Sequence, residues 1–111
     1  MIEITILKYL DSVLPVDVYM ERPEDAPASY VLVEKIGSQR TDYVYTTTFA
    51  FQSYAPTLLE AAQLNENVKA AIFDITVTDS ISAATIQSDY NFTNPATKQP
   101  RYQAVFDLTH F

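Results

Sequence analysis

The sequence predicts an α+β fold: a two-layer domain in which a mainly antiparallel sheet of four to five strands carries two amphipathic helices on one face. Three observations point that way. Apolar residues recur at three- and four-residue spacings in two segments, residues 2–14 and 57–75, as one helical stripe requires. The extended runs between and after them alternate, or are rich in Tyr, Thr, Val and Phe, which suit a pleated surface. Those runs follow one another through short connections, which favours antiparallel pairing, and two helices with one apolar face each can share a sheet face. A chain of 111 residues fits one domain, spanning 1–111, and such a domain buries about two-thirds of the surface its unfolded form exposes. No internal repeat, linker or low-complexity segment interrupts it.

The first helix is predicted over Ile2 to Leu14, with Ile2, Ile6, Leu7, Leu10, Val13 and Leu14 on its stripe and Pro15 as its stop. Its β-branched residues lower the intrinsic propensity, so packing of the stripe must carry it. Val16 to Met20 reads as a short extended run. Glu21 to Ala28, with Pro23 and Pro27, reads as an irregular connection. Tyr30 to Ile36 is apolar on both faces, as in a central or half-covered strand, and Gly37-Ser38 is expected to end it in a turn where Gly37 takes a positive φ. The next strand, Tyr43 to Tyr54, places Tyr43, Tyr45, Thr47, Phe49 and Phe51 on one face.

Thr57-Leu58-Leu59-Glu60 has the form of a capping box, in which Thr57 accepts from the Glu60 amide and Glu60 reaches back. The helix it opens has an apolar face through Ala61, Leu64, Val68, Ala71, Ile72 and Ile75. Gln63, Asn65, Glu66, Asn67 and Lys69 form its wetter side. Two extended runs follow, Ile81 to Phe92 and Arg101 to Phe111, separated by Thr93 to Pro100 with its two prolines.

Composition narrows the function classes. Seven Lys plus Arg against fourteen Asp plus Glu give a net charge of −7, opposite to the basic footprint that neutralises phosphates. Without Cys, disulfide frameworks, thiolate metal sites and cysteine nucleophiles are excluded. Glu3, Lys8 and Asp11 interrupt the apolar N-terminus, so neither a signal-peptide core nor a membrane span is expected, and the protein is expected in the cytosol. Asn91-Phe92-Thr93 matches a glycosylation sequon, which without a secretory signal reads as chance.

Catalytic chemistry finds little support. A Ser-His-acid set would need His110, the one histidine, with Asp107. On a strand these lie an odd number of positions apart and point to opposite faces. No EF-hand spacing occurs, and Asp17, Glu21, Glu24 and Asp25 read as a solvated loop. A carboxylate pair drawn from Asp74, Asp79, Asp89 and Asp107 could meet in space, though nothing in the sequence selects one. One glycine cannot build a phosphate-cradling loop. The Tyr43, Tyr45, Phe49, Phe51 face suggests base stacking, but the charge is wrong for a strand-tracking groove, which leaves core packing or a subunit interface.

The second half runs FAFQSYAPTLLEAAQLNENVKAAI from strand to helix, then SDYNFTNPATKQPRYQAVFDLTHF as a long hairpin. That combination resembles the small tail-terminator, or tail-completion, proteins that long-tailed bacteriophages and prophages place at the head-proximal end of the tail tube. The opening IEITILKYLDSVLPVDVYMERPEDAPASYVLVEKIGS reads as the matching first half, so the resemblance spans nearly the whole chain. It is carried by element order and wording, because the family has no catalytic signature. The resemblance implies a structural head-tail joining protein rather than an enzyme, with no cofactor, whose copies form a ring, commonly hexameric. Its implied partners are other copies of itself, the tail-tube protein and the head-side connector protein. DNA would pass through the ring without specific binding, no membrane is involved, and the location would be the virion tail, with the host cytoplasm during assembly. An acidic lumen that does not grip the duplex fits that role.

A head-to-tail connector or minor capsid component would share this composition with a different neighbour. From another class, a small-ligand domain or enzyme with an unmarked carboxylate site remains the alternative. On the assembly reading, surplus aromatic sheet surface is expected as an exposed apolar patch, with Tyr43 and Tyr45 as candidate contacts. Asn91 to Arg101 is expected to project as a hairpin end whose Asn94, Lys98 and Arg101 meet a neighbour, the alternative being a disordered loop.

Overall fold

The computed structural model describes residues 1–78 and 80–111. Helix α1 (Ile2–Val13) leads into β1 (Asp17–Tyr19), β2 (Tyr30–Thr41) and β3 (Val44–Tyr54). Helix α2 (Leu58–Phe73) and a 3₁₀ turn (Ile75–Val77) follow, then β4 (Ile81–Asn91) and β5 (Arg101–His110). The strands form one five-stranded sheet in the order β1-β2-β3-β5-β4, antiparallel except for β1 on β2. This is the α+β, two-layer arrangement expected, with both helices on one face of a mostly antiparallel sheet.

Residues paired across neighbouring strands share a face. Val33, Phe51 and Ala104 are therefore neighbours on one side, as are Phe49, Phe106 and Ile86. This side is the core. Ile6 and Leu10 from α1, with Leu14 just after it, and Leu64, Val68 and Ile72 from α2 close over it, together with Ile75. Tyr9 ties the helices, its hydroxyl donating to the Ala71 carbonyl at 2.8 Å. α1 stops at Val13 because Leu14 precedes Pro15 and turns extended, and Val13, expected on the stripe, is half exposed. At the start of α2 the first arm of the capping box forms, the Glu60 amide donating to Thr57 Oγ1 at 3.2 Å. The α-helix ends at Phe73, so Ile75 is buried from the following 3₁₀ turn rather than from the helix.

Several expectations are corrected. β1 pairs with β2 in parallel, because ten residues containing Pro23 and Pro27 carry the chain back to the start of the sheet instead of reversing it in a tight turn. Gly37 does not end β2 and has no positive φ; the strand continues to Thr41, and a register shift between Lys35 and Gly37 marks a bulge at Ile36. The reversal is made by Asp42 and Tyr43, with φ of 50° and 71°, the signature of a two-residue hairpin turn that matches strand twist. Tyr43 therefore belongs to the turn and not to the strand face. Asn65, assigned to the wetter side of α2, is 1 % exposed, and its Nδ2 donates to Asp89 Oδ1 on β4 at 2.6 Å.

Candidate interface surfaces

Antiparallel pairing of β3 with β5 sets Tyr45 opposite His110 at one end of the sheet and Tyr54 opposite Arg101 at the other. The five candidate contact residues therefore fall into two groups. Tyr43 and Tyr45 lie at the β2–β3 end, while Asn94, Lys98 and Arg101 lie at the β4–β5 end of a molecule 43 Å long.

At the first end Tyr43 is 81 % exposed, and the Arg40 guanidinium sits 5.6 Å from the ring centroids of both Tyr43 and Tyr45. Tyr45 also stacks on His110 at 5.4 Å. Cation–π pairing of this kind holds the tip aromatics in place at a small gain in energy. Behind them His110 Nε2 and Thr47 Oγ1 lie 2.7 Å apart, and Thr47 Oγ1 is 3.0 Å from Ser38 Oγ. Asp107 is on the opposite face, accepting from Thr48 at 2.6 Å and Gln87 at 2.7 Å, so no Asp107–His110 relay forms.

Burial lowers the His110 pKa, and the Lys35 charge adds to this, while a backbone hydrogen bond at Phe111 and the Glu3 carboxylate oppose it. The unfolded chain then binds the His110 proton at higher pH than the folded one. Its stabilising contribution is complete above the unfolded value of about 6.5 and is lost as pH falls from there through the folded pKa. Thermal melts from pH 7.5 to 5.5 are expected to show a falling midpoint, with the fall reduced in His110→Gln; an unchanged slope in that variant would assign the effect to other groups.

At the second end the β4–β5 connection carries a run of local hydrogen bonds. Asn91 Oδ1 accepts from the Thr93 amide at 3.0 Å, Asn94 Oδ1 accepts from the Ala96 amide at 2.8 Å, and the Lys98 amide donates to the Asn94 carbonyl at 2.7 Å. Thr93 Oγ1 accepts from the Arg101 amide at 3.2 Å and closes the base. Residues 94–98 are exposed, and Lys98 takes a positive φ of 56°. Arg101 is engaged within the chain. Its Nε donates to the Phe92 carbonyl at 2.8 Å, its Nη1 to Tyr54 Oη at 2.9 Å, and its guanidinium lies 4.3 Å from the Phe92 ring centroid. Arg101 is thus a brace under the loop, leaving Asn94 and Lys98 at the exposed tip.

The sheet face away from the helices was expected to be an apolar patch and is instead a hydrogen-bonded polar surface. Gln52 Nε2 donates to Gln103 Oε1 at 2.9 Å and to Glu34 Oε2 at 3.3 Å, and Tyr54 Oη donates to Gln52 Oε1 at 3.1 Å. Gln103 Nε2 continues the chain to Tyr90 Oη on β4. One network thus crosses β2, β3, β5 and β4, and Gln52 and Gln103 are 5 % and 7 % exposed. Beside it Tyr30 and Tyr54 stack at 4.5 Å, with Tyr19 edge-on to Tyr30 at 6.0 Å. The network was missed in the sequence, because Glu34, Gln52 and Gln103 are each one of several polar residues on their strands and become neighbours only through strand pairing.

Among the described residues the carboxylate candidates do not assemble. Asp89 faces the helices, bound by Asn65 and by Lys69 at 2.5 Å, and Asp107 lies on the other face; Asp74 caps α2, and Asp79 lies outside the described residues. Lys69 also pairs with Glu66 at 2.8 Å, and its hydrogen bonds to Asp89 and Glu66 raise its pKa. Among the described residues no group of three or more His, Asp or Glu gathers where it could hold a metal ion, and no helix is long and apolar enough to cross a membrane. No protein-family model matches the chain, and no curated protein sequence matches it either.

Proposed function

We propose that this chain is a structural virion assembly protein, a tail terminator whose copies form a ring at the head-proximal end of the tail tube, end its growth and present the surface that joins the head. The observation that carries the reading is the separation of exposed, shaped contact elements to opposite ends of one long sheet. The Arg40, Tyr43 and Tyr45 tip lies at one end and the Asn94–Lys98 tip at the other. A ring seated between a tube and a connector needs a contact at each axial end, and two exposed tips at opposite ends of one sheet suit that need.

The reading is tested in a phage that carries the gene. Deleting it is expected to give tails of uncontrolled length without heads; tails of normal length joined to heads would overturn the proposal. Normal-length tails left unjoined would favour the connector role instead. A finer test replaces Asn94–Lys98 with an Asn-Gly turn while keeping Thr93 and Arg101, which close the base of the loop. The protein should fold with a melting temperature within a few degrees of the parent, and head joining or tail termination should be lost. Normal virions from this variant would remove the loop tip from the contact.

A further inference from the structure

We infer that β4 of one copy pairs, antiparallel, with the uncovered part of β2 of the next copy, so that the sheet continues from subunit to subunit. The inference rests on the ring reading for the closed arrangement of copies, and on strand geometry for the contact itself.

Both edges of the sheet are open. β1 covers β2 only at Tyr30, Val31 and Leu32, leaving Val33–Thr41 with no partner strand on that side. On the opposite edge, β4 is paired on one side only, along the length of Ile81–Asn91. Among the described residues, no backbone hydrogen bond outside the β4–β5 ladder reaches Ser82–Asn91. Open edges are blunted by shortness, by Lys or Pro, by bulges or by inward-pointing charges. β4 is 11 residues long and contains no Lys or Pro, and its one charge, Asp89, points inward to Asn65 and Lys69 on α2, so bulges and that inward charge are its edge devices, while the free part of β2 has Lys35 and a bulge at Ile36. Register shifts between Ile81 and Ala83 and between Ile86 and Ser88 divide it into two regular stretches, so the pairing runs over a few rungs rather than the full strand.

The polarity of the two edges selects the partner. Three antiparallel steps separate β2 from β4, so the two strands run in opposite directions. A second copy in the same up-down sense therefore brings its β2 alongside β4 antiparallel, with the helices of both copies on the same side. Pairing of β4 with β4 would close after two copies and leave both β2 edges open. The charged side chains of these two edges are already engaged within the chain, Lys35 with Glu3 at 3.8 Å, Arg40 with Tyr43 and Tyr45, and Asp89 with Lys69, so strand polarity and not charge makes the selection.

The absence of Cys makes the test direct. Single variants Ala83→Cys, Thr85→Cys and Ser88→Cys on β4, and Gln39→Cys and Thr41→Cys on β2, place the new side chain on the same sheet face in every case. Paired antiparallel residues have Cα atoms about 4.5–5.5 Å apart, within the disulfide range. Sedimentation first establishes the concentration at which the protein oligomerises. Under mild oxidation there, at least one mixture of a β4 variant with a β2 variant should cross-link about tenfold above either variant alone, and the corresponding double variant should give a ladder. Efficient dimers from a β4 variant alone, oligomers that cross-link in no mixture, or a monomer at all concentrations would each overturn the inference. Oligomers that fail to cross-link would leave the terminator reading standing. Cross-linked oligomers from a gene whose deletion leaves tails intact would remove the terminator reading and keep the strand pairing.

Discussion

Val68→Asp is expected to abolish cooperative folding. Val68 is fully buried in the cluster that α2 makes with the sheet. The change forfeits about 1.5–3 kcal/mol of apolar burial and adds several kcal/mol for a carboxylate removed from water with no partner. Domains of this size are stable by about 5–15 kcal/mol in total, so the loss takes most or all of the margin. Lys69 cannot rescue the charge, because adjacent helical residues do not face each other and its ammonium is already paired with Glu66 and Asp89. Circular dichroism should show no cooperative thermal transition. Leu59→Asp serves as control: Leu59 is 69 % exposed in the first turn of the same helix, and its change should alter stability by about 0.5 kcal/mol at most. Parent-like melting of Val68→Asp would mean that α2 presents another face to the sheet.

Phe106→Ala is expected to cost about 3–5 kcal/mol, the usual range for deleting a buried aromatic ring. Phe106 is fully buried on β5, flanked across the strands by Phe49 and Ile86. Its ring meets Phe51 edge-on at 6.0 Å and Phe73 of α2 at 5.2 Å. It is therefore the side chain through which α2, β3, β4 and β5 share one packing centre, and the space it leaves cannot collapse without moving elements the sheet holds apart. Phe106→Leu, which keeps most of the volume, should recover the greater part of the loss. Urea denaturation at constant slope measures both. A loss below about 1 kcal/mol for the alanine variant would show that the cluster repacks around the gap.

Much of the architecture was legible because it depends on periodicity. The stripes of Ile6 and Leu10, and of Ala61, Leu64, Val68 and Ile72, could face only a common apolar layer. Phe49 and Phe51, two positions apart on a strand, could only share a face with it. The β4–β5 loop was legible in position, since Thr93 to Pro100 could not continue either strand.

Three features were decided by the tertiary structure. The hairpin reversal at Asp42-Tyr43 replaced the turn expected at the lone glycine, because a bulge at Ile36 let β2 pass Gly37 while pairing with β3 fixed where the strand had to fold back. Arg101 became a brace under the loop, since the distance to Tyr54 and Phe92 is set by the β3–β5 register and not by any local spacing. The glutamine network likewise needs four strands aligned side by side before Glu34, Gln52, Gln103 and Tyr90 become neighbours. What the chain determined by itself was which residues must leave water, a property each segment carries in its own pattern. Which polar groups then satisfy one another, and which edges remain open, depends on strand order and register, and those arise only when segments distant in sequence compete for the same partners.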